Sequence, residues 1–246
     1  MQSWFSALGF LTVFPIPLSW MGGKDQLSRS VFFYPLVGLI LGGAIAGIDH
    51  FLHSYVSGMP SSVITVALLL LFSGCLHMDG LADSADGFFS SRPRERMLEI
   101  MRDSHVGVMG VISIVLILLL KITALASLPL NLRWQALVLA PLAGRCAILL
   151  HWRILPYARK EGGLASSFRK KHINMAFILG LPLLLGVGWY LFHIRGMITA
   201  LCVLGSVLVF SIYCYRKIGG MTGDTLGATC EMSEALILVM VSCGLT

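Results

Sequence analysis

Six of the chain's twelve acidic residues fall within 25 positions: Asp79, Asp83, Asp86, Glu95, Glu99 and Asp103. Asp79, Asp83 and Asp86 are spaced i, i+4 and i+7, so one face of an α-helix carries all three. A second set, Asp224, Glu231 and Glu234, is spaced i, i+7 and i+10 and again shares a helical face. Like charges on one stripe repel at every turn. Both stripes also border long apolar runs, where an ionised carboxylate costs up to ~2.5–3.5 kcal/mol near a bilayer centre. A fold that keeps them must neutralise them. Mg²⁺ does this well, taking one or two carboxylates and completing its shell with waters and phosphate oxygens. A solvated helix end would account for one or two such acids. Three on one face, opposite a second such set, point to metal-assisted chemistry.

The neighbouring residues suit phosphate. Arg92, Arg94, Arg96 and Arg102 follow the first stripe, and guanidinium grips phosphate oxygens as a fork. Arg102, beside Asp103, is the candidate substrate contact; Arg94 is assigned to topology. Glu95 is assigned to a salt bridge, while Glu99 and Asp103, also spaced i, i+4, are open either to adding to the acidic face or to pairing with Arg96 and Arg102. The run Gly219–Gly227 (GGMTGDTLG) has the composition of a phosphate cradle, with Thr222 and Thr225 as hydroxyl contacts, although no GK[ST] follows to make it a P-loop. His77, two residues before Asp79, reads equally as a structural residue and as part of the site. Segment 151–172 carries Arg153, Arg159, Lys160, Arg169, Lys170 and Lys171, suited to a nucleotide or to anionic lipid headgroups; for Lys170 and Lys171 lipid is the simpler reading.

These residues must be held by something, and composition says what. The chain has 246 residues, 57% hydrophobic and 12% charged, with mean hydropathy +0.84. Soluble domains carry roughly 25% charge, so a soluble enzyme, a disordered tail and a disulfide-framed secreted domain are excluded. The expectation is an all-α, polytopic integral membrane helical bundle of about six to seven transmembrane helices, one domain over residues 1–246. Apolar runs of near-spanning length are Val31–His50, Ser61–His77, Val106–Leu128, Trp134–Leu150, Asn174–His193 and Met197–Tyr215. The last, Ala235–Leu245, spans only if its helix begins near Thr225, which puts Glu231 and Glu234 in the cytoplasmic half of the span. Each acidic set is expected to continue a span at its cytoplasmic end. Residues 1–30 read as an interfacial segment: Trp4, Phe5, Phe14 and Trp20 suit the headgroup layer, Pro15 and Pro17 end any helix there, and no signal-peptide pattern appears. The six cysteines read as small hydrophobes.

Fourteen of the eighteen basic residues lie before Val31, between 80 and 105, between 151 and 172, or at Arg216–Lys217. The alternating loops hold only Arg133 and Arg195, and the remaining two, Lys121 and Arg145, lie inside spans; Arg145 is expected to pair within the bundle. The basic segments are therefore assigned to the cytoplasm, and the net charge of +6 is a topological feature, so nucleic acid is not an expected partner. Membrane lipid is. The sequence leaves a homo-oligomer open. Residue chemistry alone also leaves open a phospholipid synthase, a divalent-cation transporter and a structural subunit. The acids lie at one end of their spans and run into an Arg-rich loop, which favours phosphate chemistry over transport.

Two long motifs, His77–Gly110 (HMDGLADSADGFFSSRPRERMLEIMRDSHVGVMG) and Gly219–Glu234 (GGMTGDTLGATCEMSE), closely resemble the cobalamin synthase family, the adenosylcobinamide-GDP ribazoletransferases. The length and the FLTVFPIP run near the N-terminus are similar too, so the resemblance covers essentially the whole chain. It implies a late step of vitamin B12 nucleotide-loop assembly at the bacterial inner membrane, with the active site facing the cytoplasm. Adenosylcobinamide-GDP would be joined to α-ribazole or α-ribazole 5′-phosphate, releasing GMP, with Mg²⁺. The family's motif positions match here as Asp79, Asp83, Asp86, Arg102, Asp103, Thr222, Asp224 and Glu231. On that basis Asp79, Asp83, Asp86 and Asp224 are expected to hold metal, and Arg102 and Thr222 to hold diphosphate oxygens. Asp103 or Glu231 is expected to take the hydroxyl proton. A more distant likeness is to the CDP-alcohol phosphotransferases, through Asp83-x-x-Asp86-Gly87; the Ala-Arg that follows in their pattern is displaced here to Ser90, Ser91 and Arg92. A topology reporter fused at Pro129 is expected to read the extracytoplasmic side, and a cytoplasmic reading would overturn the charge map.

Overall fold

The computed structural model describes residues 1–56, 58–159 and 168–244, and its regular elements are helices. The N-terminal part contains α1 (Gln2–Leu11), α2 (Leu18–Met21) and α3 (Lys24–Arg29), then a single 3₁₀ turn that leads into α4 (Tyr34–His53). After α4 come α5 (Gly58–Phe72), α6 (Leu76–Phe89), α7 (Arg94–Ile100) and α8 (Val108–Ser127). The chain finishes with α9 (Leu130–Ile154), α10 (Lys170–Ile218) and α11 (Gly223–Ser242). Helix α1 ends ahead of Pro15, and its ten residues rise about 15 Å, half of a ~30 Å hydrocarbon layer.

Among the described residues, five helices are long and apolar enough to cross a membrane, or six if α5 and α6 together make one broken span. The chain is thus an all-α polytopic bundle. Helix α10 needs a closer look, since 49 straight residues would extend about 74 Å. At His193 the backbone leaves the helical region (φ 53, ψ −137). A Cβ on Gly188 would lie 3.0 Å from the carbonyl oxygen of Gly196, whereas eight residues of straight helix rise about 12 Å. The chain therefore folds back at His193, and the two arms, 170–192 and 194–218, correspond to the fifth and sixth expected spans.

The second expected span is corrected. Ser61–His77 is not one helix running on into the acidic stripe: α5 stops at Phe72, and α6 leaves at 91° to it. Gly74 (φ 64) and Cys75 (φ 55) both adopt the left-handed conformation, which no continuous helix accommodates. The acids of α6 therefore lie on a separate short helix set across the end of α5.

Helix α9 is buried on nearly every side and packs against α4, α10 and α11. Apolar side chains turned outward on α8 (Val111, Ile112, Val115, Leu116, Leu119) and along α10 form the belt that a bilayer would cover. Two buried ion networks tie the bundle. At one end Arg133 of α9 donates from Nε and Nη2 to Asp49 of α4 (3.0 and 2.6 Å), and from Nη1 to Ser62 of α5 (2.9 Å). Helix α9 starts at Leu130, directly after Pro129, and so takes in Arg133, earlier than the expected Trp134. In the second network Lys121 of α8 donates to Glu231 (2.6 Å) and Glu234 (2.7 Å) of α11. Arg145 of α9 also donates to Glu234. Two cations meet two anions, so no net charge is left in the apolar interior.

Lys121→Met leaves Glu231 with no cation of its own and is expected to cost about 3–5 kcal/mol. The readout is a lowered thermal midpoint in detergent, and the double variant Lys121→Met/Glu231→Gln should recover part of it. An unchanged midpoint in the single variant would mean that the network does not hold α8 to α11.

Candidate active site

The two acid-bearing helices meet through glycine. A Cβ on Gly80 of α6 would lie 2.7 Å from the carbonyl oxygen of Asp224. A Cβ on Gly227 of α11 would lie 2.9 Å from that of His77. The backbones thus touch where α11 begins, a close helix approach that small residues permit. Asp79 on this part of α6 is exposed, and Asp83, Asp86 and Asp224 are half-buried. The charge on Asp83 is felt together with those of Asp79, Asp224 and Asp86, and with the opposing charge of Arg159.

Asp224 is held from two sides. Arg159 donates Nη2 to its Oδ2 at 2.7 Å, and the Thr222 hydroxyl donates to the same oxygen at 3.0 Å. Arg159 also reaches the Met101 carbonyl (3.4 Å), which brings the end of α7 beside the start of α11. Two backbone bonds fix Arg159 over Asp224: Ala158 N–H to Met221 O and Met221 N–H to Pro156 O, both 2.9 Å. Arg94 caps the same strip by donating to the Ala158 carbonyl at 3.1 Å. Nothing in the spacing of the six basic residues of segment 151–172 singled out Arg159; its role comes from this local pairing. Lys160 and Glu161 of that segment lie outside the described residues.

The other expected site residues have definite places. Asp86 accepts hydrogen bonds from Gly107 N–H (2.7 Å) and Gly110 N–H (2.8 Å), so its carboxylate anchors the first turn of α8. Thr222 and Thr225 form a reciprocal capping box at the start of α11, with Thr225 N–H to Thr222 Oγ1 at 3.3 Å and Thr222 N–H to Thr225 Oγ1 at 3.0 Å. The Thr225 hydroxyl also lies 3.1 Å from His151 Nε2. Both threonines are fully buried, and their hydroxyls already have protein partners. Arg102 and Asp103 are exposed just past α7. Hydrogen bonds from His105 hold the Asp103 carboxyl below its ordinary pKa. Glu231 and Glu234 lie deeper along α11, in the Lys121–Arg145 network, and Asp224 is the acid of that stripe at the α6–α11 junction. The residue spacing gave the shared face correctly but could not show that two of its three acids already have cations.

A cavity of about 180 Å³ opens beside Asp79 and Asp224 and runs inward between α1, α4, α6, α9 and α11. Its walls are largely aromatic and aliphatic. Among the described residues no three His, Cys, Asp or Glu side chains converge into a preformed metal cage. The donors at the mouth are all carboxylate oxygens. That chemistry suits a hard divalent cation that keeps waters and takes its remaining ligands from a substrate's phosphates.

Comparison with known proteins agrees with this chain from end to end. A family model described as cobalamin-5-phosphate synthase matches residues 3–242. An adenosylcobinamide-GDP ribazoletransferase of Desulforamulus reducens is 39% identical over 238 residues, covering 97% of this chain and 95% of the relative. Proteins of the same name from Geotalea daltonii and Clostridium novyi are 36% and 34% identical, covering 97% and 100% of this chain and 96% and 100% of their own lengths. No solved structure matches. The chain belongs to the cobalamin-5-phosphate synthase family.

Gly80→Val puts a branched side chain against the Asp224 backbone and is expected to destabilise by about 1–3 kcal/mol, as overpacking does. Gly43→Val, where an added Cβ meets nothing within 4 Å, is the control and should leave the thermal midpoint unchanged. Equal behaviour of the two variants would mean that α6 and α11 are not in contact.

Proposed function

We propose that this chain is an Mg²⁺-dependent adenosylcobinamide-GDP ribazoletransferase. It would join adenosylcobinamide-GDP to α-ribazole or α-ribazole 5′-phosphate with release of GMP, in the nucleotide-loop assembly of cobalamin. The observation that carries the reading is the junction of α6 and α11. There Asp79 and Asp224 border an apolar cavity, Asp83 feels the charge of both, and Arg159 on Asp224 brings the end of α7 alongside. The positive-inside charge pattern supports an inner-membrane location with the site opening to the cytoplasm.

In the proposed reaction a ribazole hydroxyl oxygen attacks the phosphorus attached to cobinamide. A new P–O bond forms, the bond to the bridging oxygen breaks, and GMP leaves with that oxygen. Asp79, Asp83 and Asp224 are the residues that would hold Mg²⁺. When bound, the ion supplies charge stabilisation for the phosphate oxygens and the leaving group. Arg159 brings a guanidinium group to Asp224 and is suited to grip the diphosphate, and Arg102 follows Met101, whose carbonyl Arg159 touches. Asp103 is the carboxylate open to a substrate hydroxyl and is assigned to take its proton. Glu231, paired with Lys121 in the interior, is assigned to holding α11 in position. Asp86 serves the site by fixing α8, and Thr222 and Thr225 by capping the helix that presents Asp224.

The support for a transferase over a cation transporter is where the acids lie. They sit where α6 meets the start of α11, beside a basic segment, and the acids deeper in the bundle are already paired with Lys121 and Arg145. Asp79→Asn is expected to lower turnover by about a hundredfold or more, as losing a group that stabilises transition-state charge does. Folding, judged by the thermal midpoint, should be unchanged. Mg²⁺-dependent GMP release at the normal rate by that variant would remove Asp79 from the site.

A further inference from the structure

The cavity beside Asp79 and Asp224 has features that metal and diphosphate binding leave unexplained. Its deep wall is aromatic: Phe10 stacks on Tyr34 with centroids 6.1 Å apart, and Trp152 packs against Phe168 at 4.7 Å. Ile148 of α9 completes the lining. Two buried polar atoms on this wall, the Tyr34 hydroxyl and Nδ1 of His77, make no hydrogen bond of normal geometry, the Ser30 side chain lying beside the hydroxyl. Their residues are 1% and 4% exposed, so water does not readily take the place of a partner. An unmet donor in an apolar interior costs about 1–3 kcal/mol, which a ligand with a matching acceptor would relieve.

Size and chemistry narrow the occupant. A closed apolar cavity of about 150 Å³ accepts benzene, so about 180 Å³, open at its mouth, suits a flat ring system and is far too small for a corrin ring. The aromatic walls favour a planar π-face. The Tyr34 hydroxyl calls for an acceptor atom on the ring, and His77 Nδ1 can supply a second donor. The charged mouth at Asp79 and Asp224 suits a polar, hydroxyl-bearing group attached to that ring. A nitrogen-heterocyclic nucleoside has this division, with an uncharged aromatic base carrying one free ring nitrogen and a sugar that emerges among carboxylates.

We propose that this cavity is the base subsite for the acceptor nucleoside: it takes the benzimidazole ring of ribazole, with Tyr34 donating to the free ring nitrogen. The assignment rests on the transferase reading above and deepens it. The base is sunk in the apolar slot between α1, α4 and α9, and the ribose hydroxyls are left at Asp79 and Asp224, where the attack takes place. Tyr34 and His77 act here as ligand contacts, whereas Ile148 and Trp152 set the slot's width.

The test has two arms, both on the full-length protein in lipid nanodiscs. In the first, 5,6-dimethylbenzimidazole is titrated calorimetrically into wild-type protein, with indole, which lacks an acceptor nitrogen, for comparison. Saturable binding of the first, and at least about tenfold weaker binding of the second or of the first to Tyr34→Phe, is expected. In the second arm, Ile148→Phe narrows the slot. It should raise the KM for ribazole about tenfold or more and leave the KM for adenosylcobinamide-GDP unchanged. Wild-type protein that turns over yet binds no base, or an Ile148→Phe variant whose KM rises for the corrinoid substrate instead, overturns the subsite. Displacement of the base by added phospholipid alone would assign the slot to an acyl chain and overturn it too. Base binding without any ribazole transfer would strike the transferase reading and leave the slot standing.

Discussion

Every carboxylate on α11 has to be compensated, because that helix is apolar enough to lie in a membrane. The chain meets this demand in two ways. Glu231 and Glu234 are neutralised internally, by Lys121 from α8 and Arg145 from α9. Asp224, at the start of the helix, is met by Arg159 from a connecting segment. The first solution fixes three helices to one another and gives α11 a rigid seat. The second leaves a carboxylate at the boundary whose partner is 13% exposed, against 0% for Lys121 and 1% for Arg145 in the interior. Asp224 is therefore the acid of the three that can exchange its protein partner for an outside cation.

The rest of the site follows from that seat. With α11 fixed, the Gly80–Gly227 approach brings α6 against its first turns, so Asp79 and Asp83 join Asp224. Asp86 closes the group from the other side by capping α8. The 91° break between α5 and α6 turns the acidic helix toward α11 instead of letting it run on from the span. It also leaves room for the aromatic cavity behind the acids. A polar mouth with an apolar interior is the shape that the proposed substrates, which combine charged phosphates with flat ring systems, would need.

Much of this was legible in the sequence. The apolar runs located α4, α8, α9 and both arms of α10 to within a few residues, and the i, i+4, i+7 spacing placed Asp79, Asp83 and Asp86 on one face. The start of α11 near Thr225 was required by length alone. What could not be read depends on contacts between distant segments or on local backbone choices without a residue signature. The break at Gly74 and Cys75 contains no proline, and Cys75 carries no preference for the left-handed region. The partners of Glu231 and Glu234 lie more than eighty residues away in sequence, and spacing along α11 cannot reveal them. The capping role of Thr222 and Thr225 was visible in principle, since a threonine three residues ahead of another at a helix start can form a reciprocal cap. The glycine-rich surroundings gave the phosphate reading more weight.

The central claim is that α6 and α11 together hold one divalent cation against a diphosphate. The most direct measurement replaces Mg²⁺ with Mn²⁺ and records electron spin resonance of the bound ion with the nucleotide diphosphate substrate present. The account predicts phosphorus hyperfine coupling in the wild-type protein. It also predicts loss of the bound-ion signal both in Asp83→Asn, on α6, and in Asp224→Asn, on α11. A bound, phosphorus-coupled ion that survives either substitution unchanged would contradict it, since the cation would then be held by one helix alone.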